Sequence, residues 1–392
     1  MSERIILHCD LNNFFASVSL LFNPTLVDMP VAVCGDTENR HGIVLAKNEL
    51  AKKFGVKTAE PIFEAKRKCA QLVMLPPIYK EYEEYSLKAR KIYERYTDLI
   101  EPFGIDECWL DVTGSTLLFG SGEQIANKIR MDIKRELGLT ISVGVSFNKV
   151  FAKLGSDLKK PDAVTIITKE NFKQKIWPLP ISDLLFVGKN TAAKLNAIGV
   201  KTIGDITFCD DKTLQRILGK NGIDIKRYAL GQDNSPVTAI TDQSKPKSVG
   251  KSVTCGKDFN SNEEVWKAFL EFAETISATL RQNGLYAQGV QVHIRTASLV
   301  VREFSLTYSY ATNSAITLAK RGLELFKRNY NFAEPLRSVG LRAIGLKENR
   351  DAVQQDIFGN SENEQQNEMV EDSIYKVRQK FGDSSIKRGR IV

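Results

Sequence analysis

Two adjacent carboxylates, Asp106 and Glu107, interrupt an apolar, aromatic run that is typical of a β-strand. Burying two acids costs free energy unless a cation neutralises them. Because neighbouring side chains of a strand point to opposite faces, both acids can reach one metal site only at a turn or twist. Taken alone, the pair favours a simpler interpretation, a hairpin tip that carries two solvated acids.

A third carboxylate, Asp10, ends a short apolar segment that passes into a helix-like stretch over 14–22. A buried strand that ends in an acid and turns tightly into a helix suits metal and phosphate binding, because the backbone N–H groups of the turn face the anion. Three carboxylates from neighbouring strands can hold two divalent cations roughly 3.5–4 Å apart. That arrangement serves in-line phosphoryl or nucleotidyl transfer, in which one cation acidifies the attacking hydroxyl and the other stabilises the leaving oxygen.

The residues around these acids resemble the two metal-binding motifs of the Y-family DNA polymerases. The motifs are Asp10-x-x-x-Phe14-Phe15-Ala16-Ser17-Val18 and Ile105-Asp106-Glu107-x-x-Leu110-Asp111. The resemblance implies a template-directed, error-prone translesion polymerase that adds dNTPs to a primer 3′-hydroxyl without proofreading. It also implies that Asp10, Asp106 and Glu107 are catalytic. They would hold two Mg²⁺ ions together with the backbone carbonyl of Leu11.

Phe15 has two interpretations. It is an apolar residue of an amphipathic helix, or, by the resemblance, a steric gate that leaves no space for a ribose 2′-hydroxyl. The resemblance makes Phe14 its buried neighbour and adds Asn13 to the substrate-binding residues. Lys160, in a Lys-Pro pair after a predicted helix, matches a triphosphate contact of the family, although a charged helix end is the default interpretation.

The segment 24–76 resembles the small fingers of the family but departs from its pattern. Ala46, Glu49 and Lys52 stand where many members have Thr, Tyr and Arg that hold the triphosphate. Lys52 can still act as a point charge, without the bidentate fork of arginine. A carboxylate at Glu49 would be unfavourable beside a triphosphate. Lys47 could compensate, or it could be an ordinary solvated lysine.

Strand-like and helix-like stretches alternate along the chain, which favours a multidomain α/β (α+β) protein. We expect the acids to lie on adjacent central strands of a ferredoxin-like layer. By the resemblance, the domains are a palm over 1–23 and 77–167, fingers over 24–76, a thumb over 168–236, a linker over 237–250, a little finger over 251–347 and a flexible tail over 348–392.

Two regions outside the palm predict contacts with DNA. The thumb segment 183–200 looks like a helix-hairpin-helix in which Gly188 and Lys189 would meet a phosphate. Phe186 replaces the usual first glycine of the hairpin, and a purely structural helix pair is the alternative. In the little finger, strand alternation predicts one polar face that meets phosphate oxygens. The residues proposed for this domain are Lys251, Arg295, Arg302 and Arg337.

The tail contains Gln354, Ile357 and Phe358, which resemble the short peptide by which bacterial polymerases hold the β subunit of the sliding clamp. Short matches of this kind also arise by chance. The residues 371–381 carry apolar side chains at helical spacing and could dock on the protein or on a partner.

Composition is consistent with a nucleic-acid partner. The formal net charge is +8 over 392 residues, and the six cysteines are scattered without a C-x-x-C pair. Basic proteins often bind polyanions, and scattered cysteines predict reduced thiols in a cytosolic protein. No apolar run approaches the ~20 residues of a membrane span, and the first residues lead directly into a strand without a signal peptide. We therefore expect a cytoplasmic, nucleoid-associated bacterial monomer that binds primer–template DNA and dNTPs, with no membrane contact.

Two other functions are compatible with parts of the sequence. A DNA-binding scaffold of the same fold with weak catalysis would explain the replaced triphosphate contacts at Ala46, Glu49 and Lys52. A nucleotide cyclase would also use a palm-like layer with paired acids. The hairpin segment, the basic second domain and the clamp-like peptide have no use in cyclisation. Incorporation of nucleotides on a primed template distinguishes the polymerase from both.

Overall fold

The structure, a computed structural model, describes residues 3–35, 42–242, 245–348, 360–382 and 385–386. In the last helix, the side chains are described from residue 369 onward. The chain divides into two compact units, residues 1–243 and 244–392. None of the helices in the described residues has the length and apolar character that crossing a membrane requires. The clamp-like residues Gln354, Ile357 and Phe358 lie outside the described residues.

The first unit is built around a five-stranded sheet of order β5-β6-β1-β7-β8 and a three-stranded sheet of order β3-β2-β4. Its strands are β1 (Ile6–Leu11), β2 (Val31–Cys34), β3 (Val44–Lys47), β4 (Val73–Leu75), β5 (Ile100–Pro102), β6 (Glu107–Asp111), β7 (Ile141–Ser146) and β8 (Val164–Ile167). Its helices are α1 (Phe14–Leu21), α2 (Glu49–Lys53), α3 (Ile62–Lys68), α4 (Tyr79–Tyr93), α5 (Thr116–Phe119), α6 (Gly122–Leu137), α7 (Lys149–Leu158), α8 (Phe172–Ile176), α9 (Lys189–Ala197), α10 (Ile203–Thr207), α11 (Asp211–Leu218) and α12 (Lys220–Ala229).

Strand β1 is the centre of the larger sheet, with β6 and β7 antiparallel on its two sides. All six of its residues are buried. Leu7, Cys9 and Leu11 pack into the core that α4 and α6 cover, whereas Ile6 packs against Ala152 of α7 on the other face. The predicted ferredoxin-like α/β layer is confirmed. Asp10 and Glu107 lie on its adjacent strands β1 and β6, whereas Asp106 lies in the bend just before β6. Because β1 is covered on both faces, any polar side chain on it needs a partner.

The three-stranded sheet lies within 31–75, the range predicted as fingers, and has a small core of its own. Helices α8 to α12 follow the larger sheet and form a separate helical core with α7. The assignment of these parts as fingers and thumb stays a prediction.

The second unit is a four-stranded antiparallel sheet of order β11-β10-β12-β9, packed against two helices. Its elements are β9 (Ser248–Phe259), α13 (Asn262–Gln282), β10 (Tyr286–Thr296), β11 (Val301–Thr312), α14 (Ala315–Asn329), β12 (Leu336–Lys347) and α15 (Asn360–Phe381). The predicted linker over 237–250 is wrong at its end, because β9 begins at Ser248. That edge strand is mostly exposed, so its polar, glycine-containing sequence lacks the alternation that identifies a strand.

The predicted flexible tail over 348–392 is wrong for its helical part. Glu371 of α15 is buried and accepts hydrogen bonds from the N–H groups of Ala315 (2.8 Å) and Ile316 (3.1 Å) at the start of α14. Arg281 of α13 adds a salt bridge to Asp372 (2.6 Å). A carboxylate at a helix N-terminus is favourable, and composition alone could not reveal this long-range cap.

Candidate active site

The three acids meet at one end of the central strands. Asp10 and Glu107 are directly paired residues of β1 and β6. Asp106 lies in the bend just before β6, where the chain leaves strand geometry. The bend allows Asp106 and Glu107 to approach one region although they are neighbours in sequence. Leu11 adjoins the same strand end, since its N–H donates to the Asp106 carbonyl (3.1 Å).

Two lysine side chains lie among these acids. Lys153 Nζ contacts both Glu107 Oε1 (2.9 Å) and Asp10 Oδ2 (3.4 Å). Lys160 Nζ lies 2.7 Å from Asp10 Oδ2 and 2.9 Å from Asp157 Oδ1. Helix α7 carries Lys153, and Lys160 follows its end. One ammonium group therefore reaches two of the three carboxylates, which places both within the reach of a single cation.

The acids have different proton affinities. Burial raises the pKa of Asp106 to about 6, and the negative charges of Asp10 and Glu107 add to this effect. Burial also raises the pKa of Asp10, although Lys160 and Lys153 oppose it. Burial favours the neutral form of Glu107 too, but its hydrogen bonds with His8 and Lys153 outweigh this effect and lower its pKa to about 2. Asp106 is thus the acid whose negative charge is least compensated.

The chemistry of this donor set fits hard divalent cations, which prefer carboxylate and carbonyl oxygens. Among the described residues, no group of three or more His, Cys, Asp or Glu side chains is already arranged as a metal-ligand set. In this structure the ammonium groups of Lys153 and Lys160 contact oxygens of Glu107 and Asp10. Three acids with two ammonium groups leave a net negative site, which attracts further positive charge.

Asn13, at the turn between β1 and α1, adopts a left-handed conformation with φ of 50°. Its side chain donates to Glu49 Oε1 (3.0 Å) at the start of α2. Lys52 Nζ lies 3.6 Å from the same oxygen. These two contacts give the Glu49 carboxylate a hydrogen bond and a nearby positive charge. Lys47 instead donates to Thr58 Oγ1 (3.0 Å).

Phe15 is half-buried on the first turn of α1 and stacks on Tyr82 of α4, with ring centroids 4.2 Å apart and planes 9° from parallel. Phe14 points into the core and is only 3% exposed. The stacked ring fixes the position of Phe15 beside the acid-bearing strand end. This geometry suits a rigid aromatic wall.

Gly188 is the N-cap of α9. Its φ of −76° is an extended backbone conformation that residues other than glycine also adopt. Lys189 is the first residue of that helix. Phe186 lies in the hairpin and has a positive φ of 70°, a backbone conformation that glycine adopts most easily. Its exposed ring packs against Tyr228, with ring centroids 5.8 Å apart. The predicted helix-hairpin-helix contains one full helix, α9, after the hairpin. The element before the hairpin is only a 3₁₀ turn, Ile181–Asp183.

The arginines predicted on one face of the second unit's sheet do not share it. Arg295 is exposed, and its neighbour Ile294 is buried in the core between the sheet and the helices. Arg302 pairs with Ile294, so it leaves the sheet from the helix side of the edge strand β11. Arg337 occupies a bulge at which the pairing of β12 passes from Leu336 to Ser338. A shift of one residue in strand register moves a side chain to the opposite face of the sheet, and the sequence carries no local signal of such a shift.

Lys251 also differs from its predicted role. Its Nζ contacts Glu271 Oε1 (3.0 Å) on α13, so the side chain lies on the helix side of the sheet. Arg342, which was not predicted from the sequence, is exposed on the opposite side and donates to Gln291 Oε1 (3.0 Å).

His8 and Lys153 were missed as well. Two signals were available in the sequence: His8 precedes Asp10 by two residues on one strand face, and Lys153 lies on the predicted helix that leads to Lys160.

Comparison with known proteins finds matches that together cover nearly the whole chain. The impB/mucB/samB family matches residues 9–157, and the impB/mucB/samB family C-terminal domain matches residues 246–357. DNA polymerase IV of Acetivibrio thermocellus is 47% identical over 387 residues, covering 99% of this chain and 97% of that protein. DNA polymerase IV 1 of Bacillus subtilis is 35% identical over 388 residues, covering 99% and 93%.

DNA polymerase IV of Clostridium kluyveri is 34% identical over 398 residues, covering 100% of this chain and 98% of that protein. A solved structure of a Y-family DNA polymerase chimera has the same fold, with a TM-score of 0.78 at 23% identity, covering 88% of this chain and 100% of that chain. The resemblance that the two acidic motifs predicted is confirmed.

Proposed function

The chain belongs to the impB/mucB/samB family of Y-family DNA polymerases, and from this membership we propose which of its residues carry out the reaction. It is a DNA-directed DNA polymerase of the translesion type, which adds dNTPs to a primer on a template and depends on divalent metal. Its substrates are primer–template DNA and dNTPs.

We propose that Asp10, Asp106, Glu107 and the Leu11 carbonyl hold two Mg²⁺ ions. Bound there, the ions would acidify the primer hydroxyl and stabilise the leaving pyrophosphate. The observation that carries this proposal is the convergence of three carboxylates at the ends of β1 and β6, with Asp106 left without a cationic partner in the described contacts. Lys153 and Lys160 contact oxygens of Glu107 and Asp10, and their positive charges favour the ionised form of both acids, although burial outweighs this effect at Asp10.

The substrate contacts follow from the same strand end. Lys160 lies at hydrogen-bonding distance from Asp10, so it can move to the triphosphate when that acid binds a cation. Lys52 and Asn13 contact Glu49 in this structure. They would leave Glu49 and contact the phosphates from the side of α2. Phe15, backed by Phe14, would exclude a ribose 2′-hydroxyl.

For DNA, we propose phosphate contacts at Gly188 and Lys189 of α9, because a helix N-terminus presents free N–H groups. In the second unit, we propose the sheet face that carries Arg295 and Arg342. Both arginines are exposed on this face, so their guanidinium groups can reach phosphate oxygens. Arg337 stays a prediction for this surface.

We further propose that the segment 354–358 binds the β subunit of the sliding clamp, and that the protein acts as a monomer at the nucleoid in the bacterial cytoplasm. The clamp proposal rests on the glutamine and the aliphatic–aromatic pair in the sequence. Gln354→Ala/Phe358→Ala should abolish clamp-stimulated synthesis and leave synthesis without clamp unchanged.

The function itself is tested by single-nucleotide extension of a primer on undamaged and abasic templates. We expect Mg²⁺-dependent incorporation on both templates and no removal of a mismatched primer end. A protein that binds the primed DNA but incorporates nothing would instead be the catalytically weak scaffold. Extension in the presence of a chelator would contradict the two-metal proposal.

A further inference from the structure

Helix α3 has one face that the proposed reaction does not use. Its inward residues Ile62 and Ala65 pack on the small core of the three-stranded sheet. Phe63, Lys66 and Arg67 are spaced three and four residues apart, so they lie together on one side of the helix. All three are exposed, and the exposed fraction of Phe63 is 66%. We call these three residues the aromatic–basic face.

The two cations of this face are available to a ligand. The next residue, Lys68, is not, because its ammonium group forms an ion pair with the buried carboxylate of Glu60. Lys66 and Arg67 form no hydrogen bond or ion pair through their side chains with any residue that the structure describes. One acid, Glu64, flanks the face three residues before Arg67. Two cations beside one acid leave the face with net positive charge.

A second exposed aromatic residue belongs to the same sheet and its helices. Phe54 ends α2 and is 47% exposed, and the exposed lysines Lys53 and Lys57 lie on either side of it in sequence. Helices α2 and α3 pack on one core through Ala51 and Ala65. Exposed aromatic rings among cations are the features by which proteins hold single-stranded nucleic acid, since bases stack on the rings and phosphates contact the cations.

These elements adjoin the candidate active site. The side chain of Asn13, in the turn that follows the strand of Asp10, donates to Glu49 at the start of α2. Helix α1 packs against both β2 and β3 of the small sheet. In template-directed synthesis the template ahead of the primer end is unpaired and negatively charged. A positively charged face with an exposed ring, on elements beside the active site, is complementary to that strand in charge and in its capacity for stacking.

We propose that the aromatic–basic face binds the unpaired template strand ahead of the primer end, an inference that rests on the template-directed function. Phe63 stacks on one base, and Lys66 and Arg67 contact the phosphates beside it. From Phe63 to Arg67 the helix rises by about 6 Å, so the ring and the cations are close enough to contact neighbouring nucleotides. The contact reads no sequence, because every base has a face that can stack.

The test compares two primer–templates that share one duplex and differ in the unpaired template ahead of the primer. This overhang is a single nucleotide in one DNA and about ten nucleotides in the other. The Kd of the full chain for each DNA is measured by fluorescence anisotropy without dNTP. We expect Phe63→Ala to weaken binding of the long-overhang DNA by roughly 5- to 100-fold and Phe63→Trp to retain it. Both variants should bind the short-overhang DNA as the wild type does.

The salt dependence of binding tests the cations. Lys66→Ala/Arg67→Ala should reduce the slope of log affinity against log salt concentration by about 1.4 for the long-overhang DNA, because each phosphate contact of a single strand contributes about 0.7. Phe208→Ala is the matched control, since it removes an 82% exposed ring at the end of α10. This control should keep the wild-type affinity for both DNAs.

Wild-type affinity for the long-overhang DNA in Phe63→Ala, or an unchanged salt slope in Lys66→Ala/Arg67→Ala, would overturn the proposal. Equal losses of affinity for the two DNAs would also overturn it, because they would place the face on the duplex. A loss of the same size in Phe208→Ala would do so as well. In each of these cases, primer extension by the wild type would leave the proposed function intact. Absence of template-directed extension by the wild type would refute the proposed function itself.

Discussion

Asp10 and Glu107 are opposite partners in the antiparallel pairing of β1 and β6. Like charges at directly paired positions destabilise a sheet, and here the Lys153 ammonium contacts both carboxylates. The pairing therefore lowers the stability of the folded sheet, but it brings two acids to a position where one cation can reach both. Asp106, in the adjoining bend, adds a third negative charge.

Phe15 is expected to control sugar selection. Phe15→Ala removes the ring that stacks on Tyr82, and the space it leaves can accept a 2′-hydroxyl. We expect discrimination against ribonucleotides to fall by roughly 100-fold, or about 2.7 kcal/mol. The measurement is the ratio of kcat/KM for a dNTP and its ribonucleotide. Tyr82→Phe is the control, because it keeps the stacked ring and loses only the hydroxyl that contacts Ser19; unchanged selectivity in Phe15→Ala would remove Phe15 as the gate.

The metal-free protein should lose stability as pH rises through the pKa of Asp106. A carboxyl whose folded pKa of about 6 exceeds its unfolded value favours folding below the unfolded pKa, and this contribution is lost as pH rises through 6. Asp106→Asn should therefore be more stable than the wild type at pH 7.5, by on the order of 1–3 kcal/mol. The difference should vanish near pH 4.

Urea unfolding in chelator at both pH values measures this difference. Added Mg²⁺ should stabilise the wild type and not Asp106→Asn, because binding to the folded state alone shifts the unfolding equilibrium. A variant that is no more stable than the wild type at pH 7.5 would show that Asp106 is adequately solvated.

Glu49 should weaken dNTP binding in the wild-type protein. Glu49→Gln keeps an oxygen for Asn13 and removes the charge, so the dNTP KM should fall by roughly 5-fold, equal to about 1 kcal/mol. Lys52→Ala should raise KM, and kcat should change little in either variant. Glu64→Gln on α3 is the matched control for the loss of one negative charge. An unchanged KM in Glu49→Gln would place this carboxylate away from the triphosphate.

Gly188 offers a test of the thumb contact that does not disturb folding. A methyl group added at Gly188 would meet no atom of the protein within 4 Å. Gly188→Ala should therefore keep the melting temperature and weaken primer–template binding by roughly 5-fold, the value of one hydrogen bond of about 1 kcal/mol. Gly114, which is equally free of neighbours, gives the control Gly114→Ala. Equal DNA affinity in both variants would exclude a close phosphate at Gly188.

The sequence predicted what depends on local pattern and missed what depends on register and distant contacts. The multidomain α/β character and the acid-bearing end of β1 follow from local pattern and were predicted correctly, whereas the exposed edge strand β9 was not. The face of Arg302 depends on how β10 pairs with β11. The helical cap by Glu371 joins residues more than fifty positions apart. Neither relationship leaves a local signal in the sequence.

At the candidate site, the sequence identified the negative charges but not what stabilises them. Asp10, Asp106 and Glu107 were predicted because their motifs are short and specific. The Lys153 bridge and the His8 contact arise only when α7 packs across β1. How Glu49 is accommodated was likewise unknown until the fold placed Asn13 beside it.

The central claim is that Asp10, Asp106 and Glu107 together bind the cations that carry out nucleotidyl transfer. The single-turnover rate of one dNTP addition, measured against Mg²⁺ concentration, tests it most directly in the wild type, in Asp106→Asn and in the control Asp98→Asn, which changes an exposed acid just before β5. We predict no addition in chelator, a loss of at least roughly 1,000-fold in Asp106→Asn (about 4 kcal/mol), and a wild-type rate in Asp98→Asn. Addition by Asp106→Asn at nearly the wild-type rate would contradict the account.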